Sequence, residues 1–99
     1  MIVYLNCSTA LDEPRGNLED DLDDFLGDAG EVTGGGGGER GWNIDFEITN
    51  QEFDNLLPEL LVFLTRWGVP RNAYLKIYPD DWEETEEPRV VKLSDTSIQ

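Results

Sequence analysis

Residues 49–68, TNQEFDNLLPELLVFLTRWG, are the longest apolar-periodic stretch of the chain and the surface on which the other elements are expected to pack. Phe53, Leu56, Leu57, Leu60, Leu61, Leu64 and Trp67 recur at three- and four-residue spacing, which places them on one side of a helix. Thr49 and Glu52 have the T-x-x-E spacing of a capping box, so a helix start is expected there. Gly68 can close the helix in a left-handed conformation, and Pro70 forbids continuation. Pro58 conflicts with this pattern: it removes an internal hydrogen bond, which predicts a kink or a restart of the helix.

Outward from this helix, period-two alternation marks the strands. Residues 2–8 alternate with Val3, Leu5 and Cys7 on one face and Ile2, Tyr4 and Asn6 on the other. Trp42, Ile44, Phe46 and Ile48 alternate with Asn43, Asp45 and Glu47, the clearest strand in the chain. Residues 73–78 repeat the pattern, with Leu75 and Ile77 against Tyr74, Lys76 and Tyr78, and residues 89–93 read as a last edge strand. A short helix, residues 18–26, is expected after an Asn17 cap, with Leu18, Leu22, Phe25 and Leu26 as its apolar stripe. Its acids Glu19 and Asp20 suit the start of a helix dipole, whereas Asp23 and Asp24 lie near the wrong end. Residues 31–33 read as a short strand, and Gly34 to Gly38 as a flexible or bulged hairpin connection.

The order strand, helix, strand, strand, helix, strand, with an added C-terminal strand, predicts an α+β fold. Its simplest form is a ferredoxin-like βαββαβ two-layer sandwich, an antiparallel sheet with both helices on one face. Right-handed crossovers would put the first and third strands centrally. Residues 1–93 make one domain and residues 94–99 a frayed tail.

Charge narrows the function classes. Against 7 Lys and Arg stand 22 Asp and Glu, a formal net charge of −15 in 99 residues. Direct contact with a nucleic-acid backbone or an anionic membrane is opposed at that charge, and a basic partner is favoured. No run approaches the ~20 apolar residues that span a bilayer, and residues 1–5 are too short an apolar run for a signal peptide. Cys7 is the single cysteine, so an internal disulfide is impossible and a cytoplasmic location is expected.

The chain contains no histidine, which removes the usual general base, triad partner and commonest zinc ligand. Cys7 falls on a core face and reads as a packing thiol, not a nucleophile. The glycine run lacks G-K-[ST] and a following helix, and Glu31 and Glu39 flank it, so a phosphate loop is not expected. Neither Asp20–Asp24 nor the acidic stretch 80–87 has the spacing of a calcium loop. No catalytic residue, cofactor or metal site is therefore expected.

What remains is surface. Two acidic clusters are candidates for meeting lysines and arginines, Asp20, Asp21, Asp23 and Asp24 in the short helix and Asp80, Asp81, Glu83 and Glu84 around Trp82. A third group should share the outward sheet face, where Tyr4, Tyr74 and Tyr78 stand among Asp45 and Glu47. Tyrosine supplies anchors and carboxylates supply charge-assisted bonds to a basic protein surface. In each case a plain solvated face is the alternative reading.

In size, charge and layout the whole chain resembles the small, acidic, intracellular immunity proteins that neutralise bacterial toxins. The GEVTGGGGG stretch before WNIDFEI also resembles a recurring phrase in uncharacterised bacterial proteins of this size. The resemblance implies stoichiometric inhibition of a basic toxin domain, often a nuclease, by a monomer or weak dimer. Two other classes stand beside it: a small-ligand-binding or regulatory ferredoxin-like dimer, and a carboxylate-based or metal-dependent hydrolase.

Overall fold

A computed structural model describes residues 1–38, 40–79 and 87–95. Five strands form one antiparallel sheet: β1 (Ile2–Cys7), β2 (Gly30–Gly38), β3 (Gly41–Ile48), β4 (Tyr74–Tyr78) and β5 (Arg89–Lys92). Two helices complete the α+β fold, α1 (Arg15–Leu26) and α2 (Asn50–Trp67), with short 3-10 turns at Gly27–Ala29 and Leu93–Asp95. The spatial order is β2-β3-β1-β4-β5, so the first and third strands are both interior.

Each interior strand buries every second residue, as the alternation predicts. Val3, Leu5 and Cys7 pair across the ladder with Phe46, Ile44 and Trp42, and Val3 and Leu5 with Ile77 and Leu75. All are buried and join one core with Leu18, Leu22 and Leu26 of α1 and Phe53, Leu57, Leu60 and Leu64 of α2. Because the sheet has a single buried face, both helices lie on that face. They also touch each other: Phe25 stacks on Phe63 with ring centroids 4.7 Å apart.

The boundaries depart from the sequence reading at four places. First, α1 starts three residues early, at Arg15, with Pro14 at the N-cap and no side-chain cap. Asn17 is inside the helix, and its N–H donates to the Pro14 carbonyl at 3.0 Å. Pro14 holds extended backbone (φ −57°, ψ 139°) and supplies the entry bend that Asn17 was expected to make. Consequently the first turn carries no acid, and Glu19 and Asp20 lie beyond it. Second, Thr49 occupies the N-cap of α2 but makes no side-chain cap bond; its N–H donates to the Ala29 carbonyl at 2.8 Å instead.

Third, α2 runs on through Pro58 without a restart, and Pro58 is exposed. Gly68 closes the helix as expected, at φ 103°, its N–H directed to the Leu64 and Thr65 carbonyls. Fourth, the glycine run is strand, not connection. β2 pairs with β3 from Gly30↔Ile48 to Gly38↔Gly41, with a bulge between Val32 and Gly34. After β5, Leu93 is buried, its N–H donates to the Ala73 carbonyl at 3.1 Å, and the Ser94 carbonyl accepts from Arg71 Nη2; residues 96–99 of the expected tail lie outside the described residues.

Candidate functional surfaces

The candidate residues separate onto two opposite layers. Asp20, Asp21, Asp23 and Asp24 are exposed on α1, in the helical layer. Tyr4, Asp45, Glu47, Tyr74 and Tyr78 stand on the open face of the sheet. Asp80, Asp81, Trp82, Glu83 and Glu84 lie outside the described residues.

Two of the α1 acids hold the fold together. Asp23 Oδ1 accepts from the Val32 N–H at 3.0 Å and pins the start of β2 to the helix. Asp23, placed at the unfavourable end of the helix dipole, thereby gives a strand-edge amide a charged acceptor. Asp21 Oδ2 accepts from Trp67 Nε1 at 2.8 Å, which links α1 to the end of α2. Asp20 and Asp24 have no hydrogen-bond or ion-pair partner among the described residues. They are the free part of this acidic ridge. The nearest cation on α1 is turned away: Arg15 is half-buried, with its Nε 3.8 Å from Glu19 Oε1.

Arg15 and Glu19 also explain two of the five glycines of the run. A Cβ at Gly35 would meet Glu19 Oε1 and the Asn43 carbonyl at 2.8 Å, and one at Gly37 would meet Arg15 Nη1 at 2.8 Å. Those two glycines face the helices and make room for the Arg15–Glu19 pair. Gly34 and Gly36 face the other way, beside the Asp45 and Asn43 side chains.

On the open face the side chains form rows across the strands. Tyr4 stands between Asp45 of β3 and Lys76 of β4, and Lys76 pairs with Val90 of β5. The next row runs Asn43, Asn6, Tyr74, Lys92. All three tyrosines are half-buried, not tucked inside, and Tyr4 meets Tyr78 edge to face at 5.4 Å. Asn43 Nδ2 donates to Asp45 Oδ1 at 2.8 Å, which orients that carboxylate. Glu31 lies directly opposite Glu47, a like-charge pair that costs stability.

The alternation of β1 already sets Ile2 beside Tyr4; Val90 and Lys92 are the members of this face that sequence reading missed. Ile2 is 39% exposed and Val90 48%, and among the described residues these are the exposed large apolar side chains. The register of β5, which sets Val90 and Lys92, has no local signal.

At one end of the open face lies an open depression of about 610 Å³, lined by Asn6, Ser8, Arg40, Asn43, Asn72 and Tyr74 among others. None of its described lining residues is acidic. Cys7, also at its lining, is buried; its single S–H lies between two acceptors, the Thr9 carbonyl at 3.4 Å and Asn72 Oδ1 at 3.5 Å. Burial pushes its thiol above the ordinary value, partly offset by the bond to Thr9, which is the setting of a packing thiol.

Among the described residues, no group of three or more Cys, Asp or Glu is gathered as a metal site, and no helix is long and apolar enough to cross a membrane. No family model, curated protein or solved structure matches the chain.

Proposed function

We propose that the chain is an acidic protein–protein interaction domain of ferredoxin-like type, an immunity or inhibitor protein that neutralises a basic, nuclease-like toxin domain by stoichiometric binding. The fold part is supported by the order β2-β3-β1-β4, by antiparallel ladders throughout, and by two helices on one face; β5 extends the sheet beyond β4.

The observation that carries the functional part is the outer ridge of α1. Asp20 and Asp24 project there with no partner among the described residues, Asp21 and Asp23 keep one oxygen each for the fold, and Arg15 is folded back over the glycine strand. A ridge of exposed carboxylates with no cation interleaved among the described residues of α1 raises the encounter rate with a basic surface, and lysines or arginines on the partner supply the bonds. Such binding weakens as salt rises.

Capture from a lysate of the native host, repeated across a salt series, tests this. The wild-type domain should retain a basic protein in a fixed ratio, released by salt, and a D20K/D24K variant should lose it. No retained protein at low salt, or equal retention by the variant, overturns the reading.

A second reading, a small-ligand-binding domain, is favoured by the depression at the end of the sheet, none of whose described lining residues is acidic. Its neutral amides and hydroxyls beside Arg40 suit a polar ligand bearing acceptors or negative charge. A thermal-shift screen of small carboxylates and phosphates should then show stabilisation that R40A abolishes.

A further inference from the structure

The open sheet face carries a pattern that the isolated chain does not explain. Gly34 and Gly36 have ordinary extended backbone, since the positive φ glycines are Gly27, Gly41 and Gly68. A Cβ at Gly34 would come no closer than 3.9 Å to Asp45 Oδ2, one at Gly36 would touch the movable Asn43 side chain at 3.4 Å, and one at Gly38 would meet nothing. Nothing inside the fold therefore requires glycine at these positions, although glycine weakens a strand. The result is a shelf of bare backbone along one margin of the face. Along the opposite margin, β5 raises Val90 and Lys92 into solvent. Charge is divided the same way: Glu31, Asp45 and Glu47 lie on β2 and β3, Lys76 and Lys92 on β4 and β5.

We infer that this face binds a second copy of the chain, face to face, about a two-fold axis that runs along β1. That rotation lays β2 over the partner's β5 and β3 over the partner's β4. Row by row, Asp45 then faces Lys76 of the other copy, the Gly34 shelf receives Val90, and the Gly36 shelf receives Lys92. Tyr4 and Ile2 meet their own counterparts near the axis. A two-fold perpendicular to the strands would instead set β2 on β2 and β3 on β3, acids against acids, so the charge pattern selects the first arrangement. Sheet faces packed in this way lie about 30° apart because each sheet is twisted.

The size of the contact is adequate for a reversible dimer. Five strands spaced ~4.8 Å apart and about six residues long at ~3.3 Å each offer roughly 500 Å² of projected face per copy. Over both copies that is about 1,000 Å², the size of weak, reversible contacts and below that of stable complexes. The net charge of each copy opposes association at long range, and salt near about 0.15 M, where the screening length is about 8 Å, removes most of that opposition. The α1 ridges stay outside, one on each end of the pair, so this inference stands independently of the basic-partner reading.

Sedimentation of the wild-type chain over a concentration series, at about 0.15 M salt, tests it. Monomer should convert reversibly to dimer. D45K and K76D should each weaken the dimer roughly tenfold or more, and the double variant D45K/K76D should recover it, because the reversed pair re-forms across the axis. G34V should abolish the dimer while keeping the melting temperature, since the shelf is filled but the fold is not disturbed. D20K/D24K should leave the dimer unchanged, which separates this outcome from failure of the basic-partner reading. A chain that stays monomeric up to about 1 mM overturns the inference. So does a dimer indifferent to D45K, K76D and G34V, or a double variant that fails to recover.

Discussion

The two margins of the sheet, β2 and β5, solve the same problem with opposite means. β2 is nine residues long, almost without side chains, and held from the helix side: Asp23 takes its Val32 amide and Arg15 lies over Gly35 and Gly37. β5 is four residues long and rich in side chains, and the backbone just after it secures it, through buried Leu93 and its bond to Ala73. An exposed strand edge invites pairing with other chains, and proteins blunt it with short strands, charge or a bulge. β5 uses brevity with Arg89 and Lys92; β2 uses the bulge beside Thr33 and a carboxylate on its edge amide. The contrast teaches that strand identity at β2 is imposed by what lies beside it, whereas β5 carries its own β-branched residues.

Breaking each margin at its anchor should give the largest effects. Gly41 opens the hairpin partner of β2 at φ 131°, and an added Cβ would strike the Cys7 carbonyl. Gly41→Ala should therefore cost about 4 kcal/mol, read as a loss of most of the denaturant midpoint. Leu93→Ala should follow at about 3 kcal/mol, from a cavity under β5. If β5 needed only its own residues, that loss would be far smaller.

A finer probe is Asp23→Ala against Asp24→Ala. Amide exchange at Val32 should accelerate about threefold to tenfold in the first variant and not in the second. The smallest effect concerns Cys7, in the strand between the two margins. Its folded thiol titrates above the unfolded value of 9.0, so its contribution to stability is complete below pH 9.0 and declines as pH rises through the folded value. Wild type should lose slightly more stability than Cys7→Ala on going above that pH. Alkylation of the thiol in the native chain should stay slow until then.

Much of this architecture was legible residue by residue. The alternation of Val3, Leu5 and Cys7, or of Trp42 to Ile48, fixes a buried face because successive side chains must point opposite ways. The stop at Gly68 was legible because a glycine before a proline leaves the chain no other course. The grouping of Tyr4, Asp45, Lys76 and Tyr78 followed from the same alternation once the strands were taken as neighbours. The glycine strand was not legible. With no side chains it has no period, and its pairing is dictated by β3 and by the Arg15–Glu19 pair beyond it.

The start of α1 misled for a related reason. Asn17 is a good cap in isolation, but Pro14 sets the bend earlier, and the entry is chosen by where the chain must leave β1. By itself the sequence determined the alternating strands, the two helices with their apolar faces and the excess of negative charge, properties of local spacing and composition. Only the tertiary structure decided which acids are committed, Asp21 to Trp67 and Asp23 to Val32, and which stand free. It also decided that the bare half of the open face lies opposite the side-chain-rich half, because strand register is set by contacts between residues far apart in the chain.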